Sequence, residues 1–306
     1  MDFSLSAMVN YSMNKEYIIE PTAFHNAIEL KYTLEKFGFL QGRLLVQYPS
    51  AWFKNVYDQI QNWPDLEKHK AKVLLQKAKE TIVPAGEAYQ PAMSWLENAH
   101  NIYNSKKIDG VVASEVNAWG FPIVADLDED YFDSGRDIRT SSSVENYIKT
   151  SSRLLQNSRE ITLIDPYLRL DKKNCATVVN EFLKIAQQGK CKSFVIWARH
   201  EISAMKSQAV YLEMLNKDIK PALTKGSRLI VKLVDDDNSL EKMHARLMLS
   251  KLGGLRFDHG FEAFSDGRNV DISVLDKNTH DHHCKWYIDA GSVNDFKVLE
   301  EHLLAG

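Results

Sequence analysis

SRLIVKLVDDDNSLEKMHARLMLSKLGGLRFDHGFEAFSDGRNVDISVLD, residues 227–276, holds the chain's densest run of unusual chemistry. Arg228 to Val234 mixes apolar β-formers with basic residues, three aspartates follow at Asp235, Asp236 and Asp237, and an alternating run begins at Met243. The pattern predicts strand, acidic loop, strand. A period of two puts His244 and Arg246 on one face of the second strand. An imidazole beside a guanidinium suits a phosphate, since the arginine fork grips its oxygens and histidine can serve as nucleophile, acid or donor. On spacing alone the pair also fits the polar face of a surface strand.

Upstream, REITLIDPYLRL at 159–170 is an apolar strand running into Asp-Pro-Tyr. Around it, Val144 to Leu155 and Asn174 to Gln188 carry helical stripes, KSFVIWARH at 192–200 reads as a buried strand, and Ile202 to Leu223 reads as a helix. Strand, helix, strand, helix, strand implies a parallel or mixed sheet with helices on its faces, and ligands gather at the carboxyl ends of such strands. Asp165, Arg199 with His200, and Asp235 fall at those ends.

Together MHARLMLSKLGGLRFDHGF and REITLIDPYLRL resemble phospholipase D-like proteins, specifically a divergent branch with His-x-Arg similar to the C-terminal domain of MIT-domain proteins. The likeness covers about residues 140 to 290. It implies an α/β fold, a phospholipase D-like mixed sheet flanked by helices. Of the family's active motif HxKxxxxD, His244 matches, Arg246 stands at the Lys position and Lys251 at the Asp position. Asp258 or Asp271 could replace the missing carboxylate.

The resemblance assigns His244, Arg246 and His259 to phosphate binding, and His244 with Arg246 to catalysis if the chain is an enzyme. In such enzymes one motif histidine attacks phosphorus and that of a second copy protonates the leaving group. With one motif in the chain, catalysis implies a homodimer, acting as a metal-independent phosphodiesterase or nuclease. The departures from the motif favour a phosphate-recognising binding or assembly module. Its ligand would be a nucleic-acid backbone or an anionic lipid headgroup, and similar architectures occur in bacterial multi-protein defence systems.

The remaining 1–139 reads as a mostly helical N-terminal domain before the phospholipase D-like domain at 140–306. Residues 1 to 15 read as a tail, EYIIEP and IDGVVAS as strands, and GFLQGRLLVQYPSAW as a connector. Thr22 to Phe37, Trp52 to Trp63, Asp65 to Thr81 and Pro91 to Tyr103 read as helices. Four of the six tryptophans, Trp52, Trp63, Trp95 and Trp119, precede residue 120, which implies a packed core of its own. Lys68, Lys70, Lys72, Lys77 and Lys79 give the third helix a basic character that is either a solvated face or a docking surface for an acidic partner. Such a domain suits assembly with other proteins.

At 306 residues, 44% hydrophobic and 26% charged, the composition is that of an ordinary globular protein of two domains. A net charge of −3 argues against nucleic-acid binding through overall charge, so phosphate recognition has to be local. Three scattered cysteines, with no leader-like start and no membrane-length apolar run, point to the cytoplasm. No cofactor is expected, since GxGxxG and P-loop patterns are missing. No metal is expected either: the acidic run from Asp126 to Arg139 lacks the calcium-loop register, and THDHHCKW at 279–286 lacks zinc spacing and reads as a polar loop before a strand WYIDA.

Overall fold

The computed structural model describes residues 13–127, 131–132, 135–203, 207–289 and 295–306. Most of the N-terminal tail therefore lies outside the described residues, as do Asp128, Glu129, Asp130, Asp133 and Ser134 of the acidic run. The chain divides into two compact units, Met1–Arg136 and Asp137–Gly306.

The first unit contains β1 (Lys15–Ile19), α1 (Ala27–Glu35), β2 (Arg43–Gln47), α2 (Trp52–Gln59), α3 (Asp65–Ala78), β3 (Val83–Pro84), α4 (Trp95–Asn104) and β4 (Gly110–Val112). Helices supply most of its regular residues. They are arranged on a four-stranded sheet, ordered β3-β2-β1-β4 and parallel throughout. Strands β1 and β4 match the sequence pattern, whereas β2 lies in the stretch whose pattern predicts a connector. RLLVQ is only five residues long, set between Gly42 in a left-handed turn (φ 69°) and Pro49, so punctuation outweighed its buried core. Asn26 caps α1 by accepting from the N–H groups of Ile28 and Glu29, which starts the helix later than its apolar stripe indicates. Ser94 and Glu97 close a reciprocal capping box on α4. In the core Trp52 is fully buried and donates from Nε1 to the Ile19 carbonyl at 2.7 Å.

The second unit contains β5 (Asp137–Ser141), α5 (Val144–Asn157), β6 (Glu160–Ile164), α6 (Lys173–Gln188), β7 (Ser193–Arg199), α7 (His200–Ser203), α8 (Gln208–Met214), β8 (Arg228–Asp235), β9 (Leu247–Ser250), β10 (Gly253–Phe257), β11 (Asn269–Val274), α9 (Lys277–Tyr287) and β12 (Lys297–Ala305). The fold is mixed α/β. Its eight strands run β12-β8-β7-β6-β9-β10-β11-β5, with β6, β7 and β8 mutually parallel and every other pairing antiparallel. The unit begins at Asp137 rather than residue 140 because β5 pairs with β11 from Asp137 opposite Ser273.

Helices cover both faces. On one, Trp286 of α9 packs with Ile164, Trp197, Leu247 and Leu249. On the other, Tyr147 of α5 and Phe182 of α6 meet Phe257 edge-on or tilted. The helix expected over 202–223 is broken into α7, α8 and a π-turn at Leu215–Ile219, and Ser207 caps α8 afresh by accepting from Val210 N–H. Ser143 caps α5 by accepting from Asn146 N–H, while Ser142 Oγ donates to the Glu262 carbonyl.

Candidate phosphate-recognition site

Ile164 at the end of β6 lies opposite Trp197 of β7 and opposite Leu247 at the start of the antiparallel β9. The carboxyl ends of the parallel strands therefore meet the chain entering β9. Leaving β10, Phe257 N–H donates to the Arg246 carbonyl at 2.9 Å, which brings the turn at 258–260 to the same place. His244, Arg246 and His259 thus gather at one end of the sheet. Strand β9 begins at Leu247, not at Met243, because residues 243–246 run past the end of β6 and have no ladder partner there.

Asp165 anchors the cluster. The residue is 4% exposed, and its side chain accepts from Tyr167 N–H at 2.9 Å and Phe261 N–H at 3.2 Å, with Arg246 Nε 3.8 Å away. Burial pushes its carboxyl above the ordinary value, and the two N–H donors and Arg246 only partly offset this. Gly260 makes the close approach possible: it has φ +73°, and a Cβ there would fall 2.1 Å from Asp165 Oδ2.

Arg246 is braced from three sides. Besides Asp165, its Nη1 donates to the Asp258 carbonyl at 2.6 Å, and the guanidinium lies 4.9 Å over the half-exposed Tyr167 ring. Arg199, 5.9 Å from the same ring, binds both oxygens of buried Asp236 at 3.0 and 2.9 Å. Burial raises the Asp236 carboxyl, but Arg199 and the Met243 N–H, which donates at 2.6 Å, bring it below the usual carboxylate range. Since Arg199 also donates to the Met243 carbonyl at 3.1 Å, this fork fixes the residue immediately before His244.

His244 is exposed and has no hydrogen-bond or ion-pair partner among the described residues. His259 is exposed too, with Nε2 3.6 Å from Asp258 Oδ2. Of the two candidate replacement carboxylates, Asp258 shares the turn with His259, whereas Asp271 lies on β11 and pairs with Arg139 at 3.1 Å. Lys251 sits in the two-residue turn between β9 and β10, at the far end of β9 from His244, where it pairs with Asp289. Position 251 contributes nothing near His244.

The segment 279–286 is a correction. It is helix α9, not a loop before a strand, and Asp276 starts it by accepting from Thr279 N–H at 3.0 Å. Met243, Ala245, Leu247 and Leu249 share the core beneath α9, so alternation assigns His244 and Arg246 to the opposite face. Helix α9 therefore lies on the face of the sheet away from His244 and Arg246. His280 Nε2 bonds the Ser250 carbonyl at 2.8 Å, and burial, reinforced by neighbouring His282, lowers His283 to about 4. Among the described residues the one group spaced for a cation is Asp235, Asp236 and Asp237, whose middle member already holds Arg199. Sequence reasoning overlooked Tyr167, although Asp-Pro-Tyr at a strand end was its available signal.

No protein-family model matches the chain, and no curated protein matches it. Among solved structures it is similar to phosphatidylserine synthase of Haemophilus influenzae Rd KW20, with a TM-score of 0.35 and 10% identity over 53% of this chain and 39% of that one. It is also similar to TrmBL2, an archaeal chromatin protein, with a TM-score of 0.26 and 12% identity over 77% of this chain and 66% of that one. The chain thus spans well under half of the first structure's length. These likenesses are too distant to assign an activity. Among the described residues no helix is long and apolar enough to cross a membrane.

Proposed function

We propose that the second unit is a phospholipase D-like domain of the divergent His-x-Arg kind, acting as a module that recognises a phosphate-bearing ligand. The observation carrying this reading is the bracing of Arg246 by Asp165, the Asp258 carbonyl and Tyr167, beside exposed His244 and His259. A preset guanidinium loses little freedom on binding, which favours affinity. Asp165 offsets part of its charge, so the site suits one phosphate group better than a long polyanion.

Binding is favoured over turnover because phospholipase D-like chemistry uses two motif histidines at one site and this chain has one such motif. A metal-independent phosphodiesterase working as a homodimer is the second reading. It draws on the exposed His244 imidazole, which an attacked phosphorus could reach.

Titration of the full chain with single- and double-stranded DNA, RNA and anionic vesicles, with and without Arg246→Ala, tests the first reading. Saturable binding weakened by the substitution is expected, and equal binding by both proteins would refute it. Cleavage of any of these substrates without metal, abolished by His244→Ala, would establish the second.

A further inference from the structure

Helices α1 and α3 of the first unit pack side by side. Leu30, Ala71, Leu75 and Ala78 join the same core, and Glu67 Oε2 of α3 accepts from Ala27 N–H of α1 at 3.0 Å. Each outward face carries two exposed apolar residues among polar ones. Ile28 is 74% exposed and Leu66 66%, and Tyr32 and Val73 are both more than two-fifths exposed. On α1, Ile28 and Tyr32 are one turn apart. On α3, Leu66, Lys70, Val73 and Lys77 recur at spacings of four, three and four, which lays them in one line along the helix.

Exposed apolar residues in line on two packed helices offer a surface that a partner can cover. Lys31 is matched by Glu35 at 3.8 Å and Asp65 and Glu67 stand in the first turn of α3, so the excess of positive charge lies farther along α3. Lys70 and Lys77 alternate with the apolar residues of α3, and Lys36 lies 4.5 Å over the Tyr32 ring. Lys72 and Lys77 have no carboxylate partner among the described residues, and Lys70 has only Glu67 at 3.5 Å. Lys79 is engaged elsewhere, against Phe53 and Tyr57.

We propose that the exposed face of α1 and α3 docks an acidic amphipathic helix of a partner protein. Its apolar stripe would cover Ile28, Tyr32, Leu66 and Val73, and its carboxylates would meet Lys70 and Lys77. A third helix against a packed pair is a common arrangement, and the lysines set the sign of the partner's flanks. The inference is independent of the phosphate site in the second unit.

The probes are three synthetic helices of roughly 18 residues, about five turns. One carries a leucine stripe with glutamate flanks, the second the same stripe with lysine flanks, and the third the glutamate composition in scrambled order. Titrated by fluorescence anisotropy against the full chain, only the first should saturate. The pair Leu66→Asp with Val73→Asp should weaken it by about tenfold or more, and Lys70→Glu with Lys77→Glu should transfer preference to the lysine-flanked probe. These side chains are exposed, so circular dichroism should show the variants folded. Equal binding of the scrambled probe would reduce the effect to bulk charge and overturn the proposal, as would no binding of the first probe. A concentration-dependent dimer lost in Ile28→Asp would assign the face to a second copy instead, and that too would overturn it.

Discussion

Arg246 Nε lies 3.8 Å from Asp165 Oδ1, so the arginine just before β9 is tied to a buried carboxylate just past the end of β6. That tie separates the two functional readings. If Arg246 is the anchor of a binding site, Arg246→Ala should weaken a phosphate-bearing ligand by about 1 to 3 kcal/mol, the range for a lost charge-assisted hydrogen bond, and His244→Ala should cost less. If His244 is a nucleophile the order reverses, with turnover lost in His244→Ala and binding retained. Isothermal titration alongside a phosphodiester cleavage assay reads both.

Gly260 lets that arrangement form, and its replacement should disturb it. Gly260→Ala should lower stability by about 1 to 3 kcal/mol through a strained φ and a Cβ driven against Asp165. Urea unfolding of the full chain measures the loss. An unchanged midpoint would mean that the turn at 258–260 is free to move away from Asp165.

The sequence carried the middle of the second sheet well. ITLI and KSFVIWAR are continuous apolar runs between helical stripes, and both are buried strands of the expected kind. The first unit's β2 was harder, because five residues between a glycine and a proline look like punctuation. Helix α9 was hidden by its polarity: three histidines, an aspartate and two lysines obscure the few positions that face the core. The bracing of Arg246 was beyond local pattern altogether. It needs β9 to run antiparallel beside β6, and no short-range spacing fixes that register.

Ile164 tests the sheet directly. It is fully buried in β6, between β7 and β9, so Ile164→Asp would place a carboxylate in the core without a partner. A cost of several kcal/mol should follow, and the second unit should not fold cooperatively. Near-native thermal unfolding of this variant would contradict the central place of β6.

Asp165 and Asp236 should respond to pH in opposite senses. Burial raises the folded-state pKa of Asp165, so the native chain binds its proton more tightly than the unfolded chain. Between the ordinary carboxylate value and that raised value, stability from this group falls as pH rises, and wild type should lose ground to Asp165→Asn. For Asp236, burial also acts upward, but Arg199 and the Met243 N–H bring the folded-state pKa below the ordinary value. Its contribution is full above the unfolded value and disappears as pH falls through the lowered one, so the advantage of wild type over Asp236→Asn should shrink in acid. Removing the partner is harsher. Arg199→Ala leaves a carboxylate that is 2% exposed without its fork, and should cost about 3 kcal/mol near neutral pH. Chemical denaturation of the four proteins from about pH 3 to 7 at fixed ionic strength resolves these slopes. If the two asparagine variants change relative to wild type in the same direction, the opposed electrostatics of the two strand ends is wrong.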